Sequence, residues 1–177
     1  TLRSASTREI RTLAESFGEM AHGLALKDRY HSLLAQVADP QVAAELVAGR
    51  IRLGGELREV TVMFCDIREY TVLTIGRAPE HVIELLNDHL GTMARIVHAH
   101  GGVVNQFAGD AIMALFGAPK SYGDDAARAV RCAMAMMRER ERMNTVATLP
   151  LHIGIGIASG AMVAGCIGAE NRSDYTV

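Results

Sequence analysis

Glu59-Val60-Thr61-Val62-Met63-Phe64-Cys65-Asp66-Ile67-Arg68 is a run of β-formers that ends in an aspartate. Phe107-Ala108-Gly109-Asp110-Ala111-Ile112-Met113 answers it, with an aspartate at a Gly-Asp turn between two apolar runs. If the runs are neighbouring strands of one sheet, Asp66 and Asp110 meet at the same end of it. Facing carboxylates on a rigid sheet repel each other unless a cation lies between them. Two divalent metal ions ~3.5–4 Å apart meet that need in phosphate-ester chemistry, so the pattern points to phosphoryl transfer. Taken singly, Asp66 also reads as a strand-end turn residue and Asp110 as an ordinary hairpin turn. The pairing carries the functional reading.

The 177 residues suffice for one domain of ordinary size plus an appendage, and nearly half are hydrophobic. A formal net charge of -2 argues against a general nucleic-acid binder, which needs a basic surface to displace counterions. Cys65, Cys132 and Cys166 are scattered and odd in number, which suits a reducing cytosolic setting rather than a disulfide framework or zinc site. No apolar run approaches the ~20 residues of a membrane span, and no signal peptide is visible.

Working outward from the first aspartate, near-continuous apolar character predicts a central strand over Glu59 to Asp66. Arg68 to Ala78 reads as a loop whose free N–H groups suit phosphate oxygens, the plainer reading being an ordinary crossover. Pro79 opens a helix with Val82, Leu85, Leu86, Leu90, Met93, Ile96 and Val97 on its apolar face, and Gly101-Gly102 stops it. Val103 to Phe107 and Ala111 to Phe116 pair as a hairpin. Asp124 or Asp125 caps a helix from Ala126 to about Met143 with Ala129, Val130, Ala133, Met136 and Met137 inward, the methionines serving as core filler. Leu149 to Ala158 is a strand and Ala161 to Ile167 its expected hairpin partner. The order β-α-β-β-α-β makes the fold class α+β, on the ferredoxin-like or split-βαβ plan.

Upstream, Ile10, Leu13, Phe17, Met20 and Leu24 recur at coiled-coil spacing, and Leu26, Tyr30, Leu33 and Val37 continue it displaced by one position. Polar flanks at Arg11, Glu15, Glu19 and Asp28 suit a partner helix, the plainer reading being a helix packed on its own domain. Asp39-Pro40 interrupts the helix and starts a short one to about Ala48, with Asp39 as cap. Gly49 to Leu57 reads as linker.

The motifs resemble a known family. Phe64-Cys65-Asp66-Ile67-Arg68-Glu69-Tyr70-Thr71 is similar to the F-x-D-I-x-x-[FY]-T opening of class III nucleotidyl (adenylate/guanylate) cyclase catalytic domains. His100 to Gly117 resembles their hairpin, and Ile153 to Gly160 and Asp174-Tyr175-Thr176-Val177 resemble later signatures. The resemblance implies conversion of ATP to 3′,5′-cyclic AMP and pyrophosphate. It makes Asp66 and Asp110 catalytic ligands of two Mg²⁺ or Mn²⁺ ions, with the Ile67 backbone carbonyl as a further ligand. Gln106 and Thr176 fall at the two base-selecting positions, and Arg68, Tyr70 and Thr71 in the substrate-binding opening. Thr176 matches the adenine-type choice, whereas Gln106 stands where many adenylate cyclases carry Lys. Such domains work as head-to-tail homodimers, with Asp66 and Asp110 facing Gln106 and Thr176 across the interface. Arg8 to Met20 resembles the second helix of a HAMP domain, which implies a membrane-anchored parent with this part in the cytoplasm. The expected division is 1–24 HAMP helix, 25–57 transducer helix and linker, and 58–177 cyclase domain.

Other motifs have plainer readings. Gly154-Ile155-Gly156-Ile157-Ala158-Ser159-Gly160 lies in a strand and turn, not at the strand-to-helix junction of a dinucleotide site. His98-Ala99-His100 reads as a solvated pair at a helix end, and Asn171-Arg172-Ser173 as an unused glycosylation pattern. Rival functions are a catalytically silent cyclase-like dimerisation module, a guanylate cyclase, and a diguanylate cyclase, whose second hairpin acid is missing at Ala111-Ile112. Family members continue past Tyr-Thr-Val into a helix bearing an Asn and an Arg that serve ribose and phosphate. The 177-residue chain is therefore expected to be very weakly active or inactive, turning over ATP ~10²–10³-fold or more below a chain extended through that helix. Cyclic AMP production by the two chains side by side checks this.

Overall fold

The computed structural model describes residue 20 and residues 39–48, 54–169 and 172–177. The HAMP and coiled-coil expectations lie outside the described residues. The elements are α1 (Pro40–Val47), β1 (Gly54–Ile67), α2 (Tyr70–Thr74), α3 (Pro79–Ala99), β2 (Val103–Ala108), β3 (Ala111–Phe116), α4 (Asp125–Asn144), β4 (Ile153–Ala169) and β5 (Arg172–Thr176). The strands form one sheet in the order β2-β3-β1-β4-β5, antiparallel throughout. β3 lies between β1 and β2, and β1 between β3 and β4, which is the split-βαβ arrangement with β5 added.

The apolar runs in β1 and β3 are continuous because these two central strands bury residues on both faces. On one face Met63, Cys65, Ile112, Ala114 and Phe116 pack against Met93 and Val97 of α3 and Ala129, Cys132 and Met136 of α4. On the other, Val60, Val62, Met113 and Leu115 pack with Ala118 and Ala164, against Met162, Tyr175 and Val177. The C-terminal part of the sheet therefore covers its own second face.

Helix termini follow local chemistry. Asp39 caps α1, accepting from the Gln41 N–H at 2.9 Å. Gly101, with φ 68°, ends α3, where an L residue is disfavoured. Arg128 ties that end to the start of α4. It donates to the carbonyls of His100 and Gly101 at 2.8 Å each and lies over the rings of Tyr122 and Phe116.

Several expectations are corrected. The linker ends earlier than read, because Gly54 to Leu57 already pair with β4. Leu149–Ala158 and Ala161–Ile167 are not a hairpin. Ile153 to Ala169 is one strand, paired with β1 from Ile67↔Ile153 to Gly54↔Cys166, and Ser159 bonds Thr61 across that ladder at 2.7 Å. The partner strand is β5. The loop after Asp66 contains α2. On α4, Val130 (49% exposed) and Met137 (42%) face outward, and the buried seam is Ala129, Cys132, Met136 and Arg140. Neither Asp124 nor Asp125 forms the expected side-chain cap, because Arg128 and Arg131 draw their carboxylates into ion pairs.

His89 of α3 is buried, and neither ring nitrogen has a hydrogen-bond partner. Burial, with the Arg140 guanidinium nearby and Asp88 opposing it, pushes its pKa down from 6.5 to about 4. The folded chain holds the ring neutral where the unfolded chain protonates it. Stability present above pH 6.5 is therefore lost as pH falls from 6.5 towards 4, by ~3 kcal/mol if no other group intervenes. Urea unfolding of wild type and His89→Leu at pH 7, 5.5 and 4 should show this part of the slope in the wild type alone.

Candidate active site

Asp66 is the penultimate residue of β1 and Ile67 the last. The β1–β3 register ends at Cys65↔Ile112, so Ile67 comes level with the Gly109-Asp110 turn. There the Asp110 Oδ2 accepts a hydrogen bond from the Ile67 N–H at 3.3 Å. Asp110 is thus brought to the backbone of the residue that follows Asp66, at one end of the sheet. Gly109, at φ 65°, makes the tight turn that delivers Asp110 to this position.

The surroundings of Asp66 are those of an anion short of partners. Its Oδ1 is covered and accepts no hydrogen bond. Among the described residues the nearest cation is Arg68 Nε at 3.7 Å, a long contact between half-exposed side chains that contributes little. The Arg68 guanidinium lies over Gly154, which is paired with Asp66 across β1 and β4. A Cβ on Gly154 would come within 2.0 Å of Arg68 Nη2, so the glycine forms the floor under that side chain. Next door, burial pushes the Cys65 thiol up to about 12, and the charge of Asp66 adds to the effect.

The other expected residues fall into two groups. The Arg68 N–H bonds the His152 carbonyl at 2.8 Å, and Glu69, at φ 55°, turns the chain into α2 without a side-chain cap. Tyr70 and Thr71 form the first turn of that helix, half-buried and exposed respectively. Gln106 is exposed on β2 just after a β-bulge between Val104 and Gln106. Thr176 ends β5, and its Oγ1 accepts from Asn105 Nδ2 at 3.4 Å. Since β2 and β5 are opposite edges of the sheet, this contact requires β5 to cross the second face. Thr176 is thereby brought to Asn105, the residue before Gln106 in β2.

Sequence reasoning missed two residues beside the expected ones, Asn105 and Gly154. Asn105 has a buried Oδ1 without a partner and joins Thr176 to the bulge. Gly154 was set aside with its glycine run, although a glycine inside a strand signals close approach. His98 and His100 sit at the helix end as expected, with His98 exposed, but each also has a protein partner. His98 Nε2 meets Asp39 Oδ2, and His100 Nδ1 meets the Ile96 carbonyl, each at 2.8 Å.

Comparison with known proteins decides the family. The family model described as the adenylate and guanylate cyclase catalytic domain matches residues 55–177. The chain belongs to that family. An uncharacterised Mycobacterium tuberculosis protein, Rv1319c, is 37% identical over 171 residues, and Mycobacterium bovis Mb1354c is 39% identical. Each comparison takes in 96% of this chain but only 31% and 29% of the relatives, so the cyclase chain spans under a third of their lengths. Among solved structures, the guanylyl cyclase Cya2 is 41% identical with a TM-score of 0.67, covering 70% of this chain and 65% of that one. The adenylyl cyclase CyaB from P. aeruginosa is 35% identical with a TM-score of 0.63, covering 70% and 67%.

The packing at the end of β1 gives a reactivity pattern. Cys65 and Cys132 are fully buried with their thiols pushed up to about 12, whereas Cys166 is only partly buried. At pH 8, mass spectrometry after iodoacetamide treatment should find Cys166 modified well before the other two. Rapid Cys65 labelling would show that the Asp66 end of β1 is open.

Proposed function

We propose that this cyclase domain is the output unit of an adenylate cyclase, which converts ATP to 3′,5′-cyclic AMP and pyrophosphate. The observation that carries the reading is the hydrogen bond from the Ile67 N–H to Asp110, beside an Asp66 oxygen that accepts no hydrogen bond. Two carboxylates and a backbone carbonyl form an all-oxygen donor set suited to Mg²⁺ or Mn²⁺. Asp66, Asp110 and the Ile67 carbonyl would hold the metal. Bound there, it supplies Lewis-acid charge to the triphosphate and lowers the pKa of the ribose 3′-hydroxyl.

The chain's own residues supply the rest. Arg68, with only its weak contact to Asp66, is a charged donor for phosphate oxygens. The uncapped start of α2 at Tyr70 and Thr71 offers backbone N–H groups to the same anion. The Gln106 amide and the Thr176 hydroxyl read the edge of the base. Because an amide both donates and accepts, Gln106 serves adenine or guanine by rotating, and the preference for ATP rests on Thr176. Guanylate cyclase is the second reading, favoured by the 41% identity to a guanylyl cyclase.

We assign a homodimer to the active form. Phe64 and Phe107, 48% and 54% exposed, are large apolar groups left uncovered near the carboxylate and base-selecting residues. Cytoplasmic placement, a HAMP segment and a membrane-anchored parent remain part of the proposal, on the sequence resemblance. Among the described residues, no helix is long and apolar enough to cross a membrane.

The test offers the intact protein ATP and GTP separately with Mn²⁺ and identifies the products by mass. Cyclic AMP should dominate, and Asp66→Ala and Asp110→Ala should each reduce turnover at least ~100-fold while leaving the fold intact. Predominant cyclic GMP would transfer the assignment to the second reading. Turnover indifferent to both aspartates would end the two-carboxylate mechanism.

A further inference from the structure

We infer that Asp39, outside both clusters of the site, is a positioning residue for the hairpin that carries Gln106 and Asp110. Its side chain is 1% exposed, and both oxygens are in use. Oδ1 caps α1 through the Gln41 N–H. Oδ2 accepts from the Val104 N–H at 2.8 Å and meets His98 Nε2 at 2.8 Å. Val104 belongs to β2, the outermost strand, where an outward-facing N–H has no further strand to bond. The buried carboxylate provides that partner at the residue where the β-bulge begins, two positions before Gln106. Gln41 Nε2 adds a 3.4 Å contact to the Gly102 carbonyl, and Val42 and Ala43 bury the adjoining face of α1.

A helix cap needs one oxygen, and this carboxylate uses two. The segment before the cyclase domain is therefore fastened through Oδ2 to the strand that presents the base-selecting amide. The bulge makes this the point where β2 needs an outside support. Its register with β3 shifts between Val104 and Gln106, so the ladder alone does not fix the strand there.

Asparagine separates the two roles. It is as good an N-cap as aspartate, but it has a single acceptor oxygen. In Asp39→Asn that oxygen can keep the cap, and the amide then turns its own N–H groups towards the Val104 N–H. Val104→Pro removes the same hydrogen bond from the strand side, at an edge position where proline is tolerated.

The activity measured here rests on the cyclase reading, whereas the spectroscopic measurement does not. The experiment takes the intact protein as wild type, Asp39→Asn, Val104→Pro and the double variant. It records the thermal midpoint, the Val104 amide proton shift where that N–H exists, and kcat and KM with ATP and GTP. Asp39→Asn should keep a midpoint close to wild type, move the Val104 amide upfield, and lower kcat ~10–100-fold with a smaller change in KM. Val104→Pro should reproduce the loss, and the double variant should lose no more than either single one. If the Asp39→Asn protein melts early, Val104→Pro alone carries the test. Wild-type kcat in Val104→Pro, or a wild-type Val104 amide shift in Asp39→Asn, would reduce Asp39 to a cap. Absence of cyclic nucleotide from the wild type would overturn the cyclase reading, while the amide shift would still decide the clamp.

Discussion

The arrangement depends on one central strand having both neighbours in fixed register. β1 pairs with β3 so that Cys65 faces Ile112, and with β4 so that Asp66 faces Gly154. The first pairing brings the Gly109-Asp110 turn level with Ile67, and the second puts a residue without a side chain beside Asp66. A slip of one residue would turn Met63 and Cys65 away from the helices and bring Val62 and Phe64 towards them. Burial of the core and alignment of the carboxylates are therefore fixed by the same constraint.

Much of this was legible because its signals are local. The β-rich run before Asp66, Gly109-Asp110 between apolar strands, Pro79 at a helix start and Gly101 at its end each have a short-range physical cause. What escaped notice depends on partners distant in the chain. Ser159-Gly160 reads as a turn, yet pairing with Val60 and Thr61 and the Thr61–Ser159 hydroxyl contact keep it extended. Val130 and Met137 look inward by composition, but the α4 seam is set by where Met63, Cys65 and Met93 lie. Asp66 and Asp110 were readable singly and as a pair, whereas Arg68 over Gly154 and Asn105 beside Thr176 needed the folded sheet. Asp39 was recognised as a cap, a local role, and its second oxygen became visible only with β2 beside it.

The second face of the sheet shows how economically the fold uses its C-terminal strands. Tyr175 and Val177 cover Val60 and Val62, while Thr176 between them reaches Asn105. One short segment alternates between closing a core and holding the β2 edge through Asn105. A substitution at Tyr175 or Val177 therefore bears on the Asn105–Thr176 contact through packing.

The length of the β1–β4 ladder also governs how the domain comes together. Gly54 meets Cys166 and Thr61 meets Phe116, so the central strand closes loops of very different size on its two sides. Loop closure must precede the contacts that reward it, which makes such topologies slow to form. Until β4 arrives, β1 presents an unpaired apolar edge that invites association with other chains. The strand that holds Asp66 is thus also open to edge-to-edge association while the domain folds.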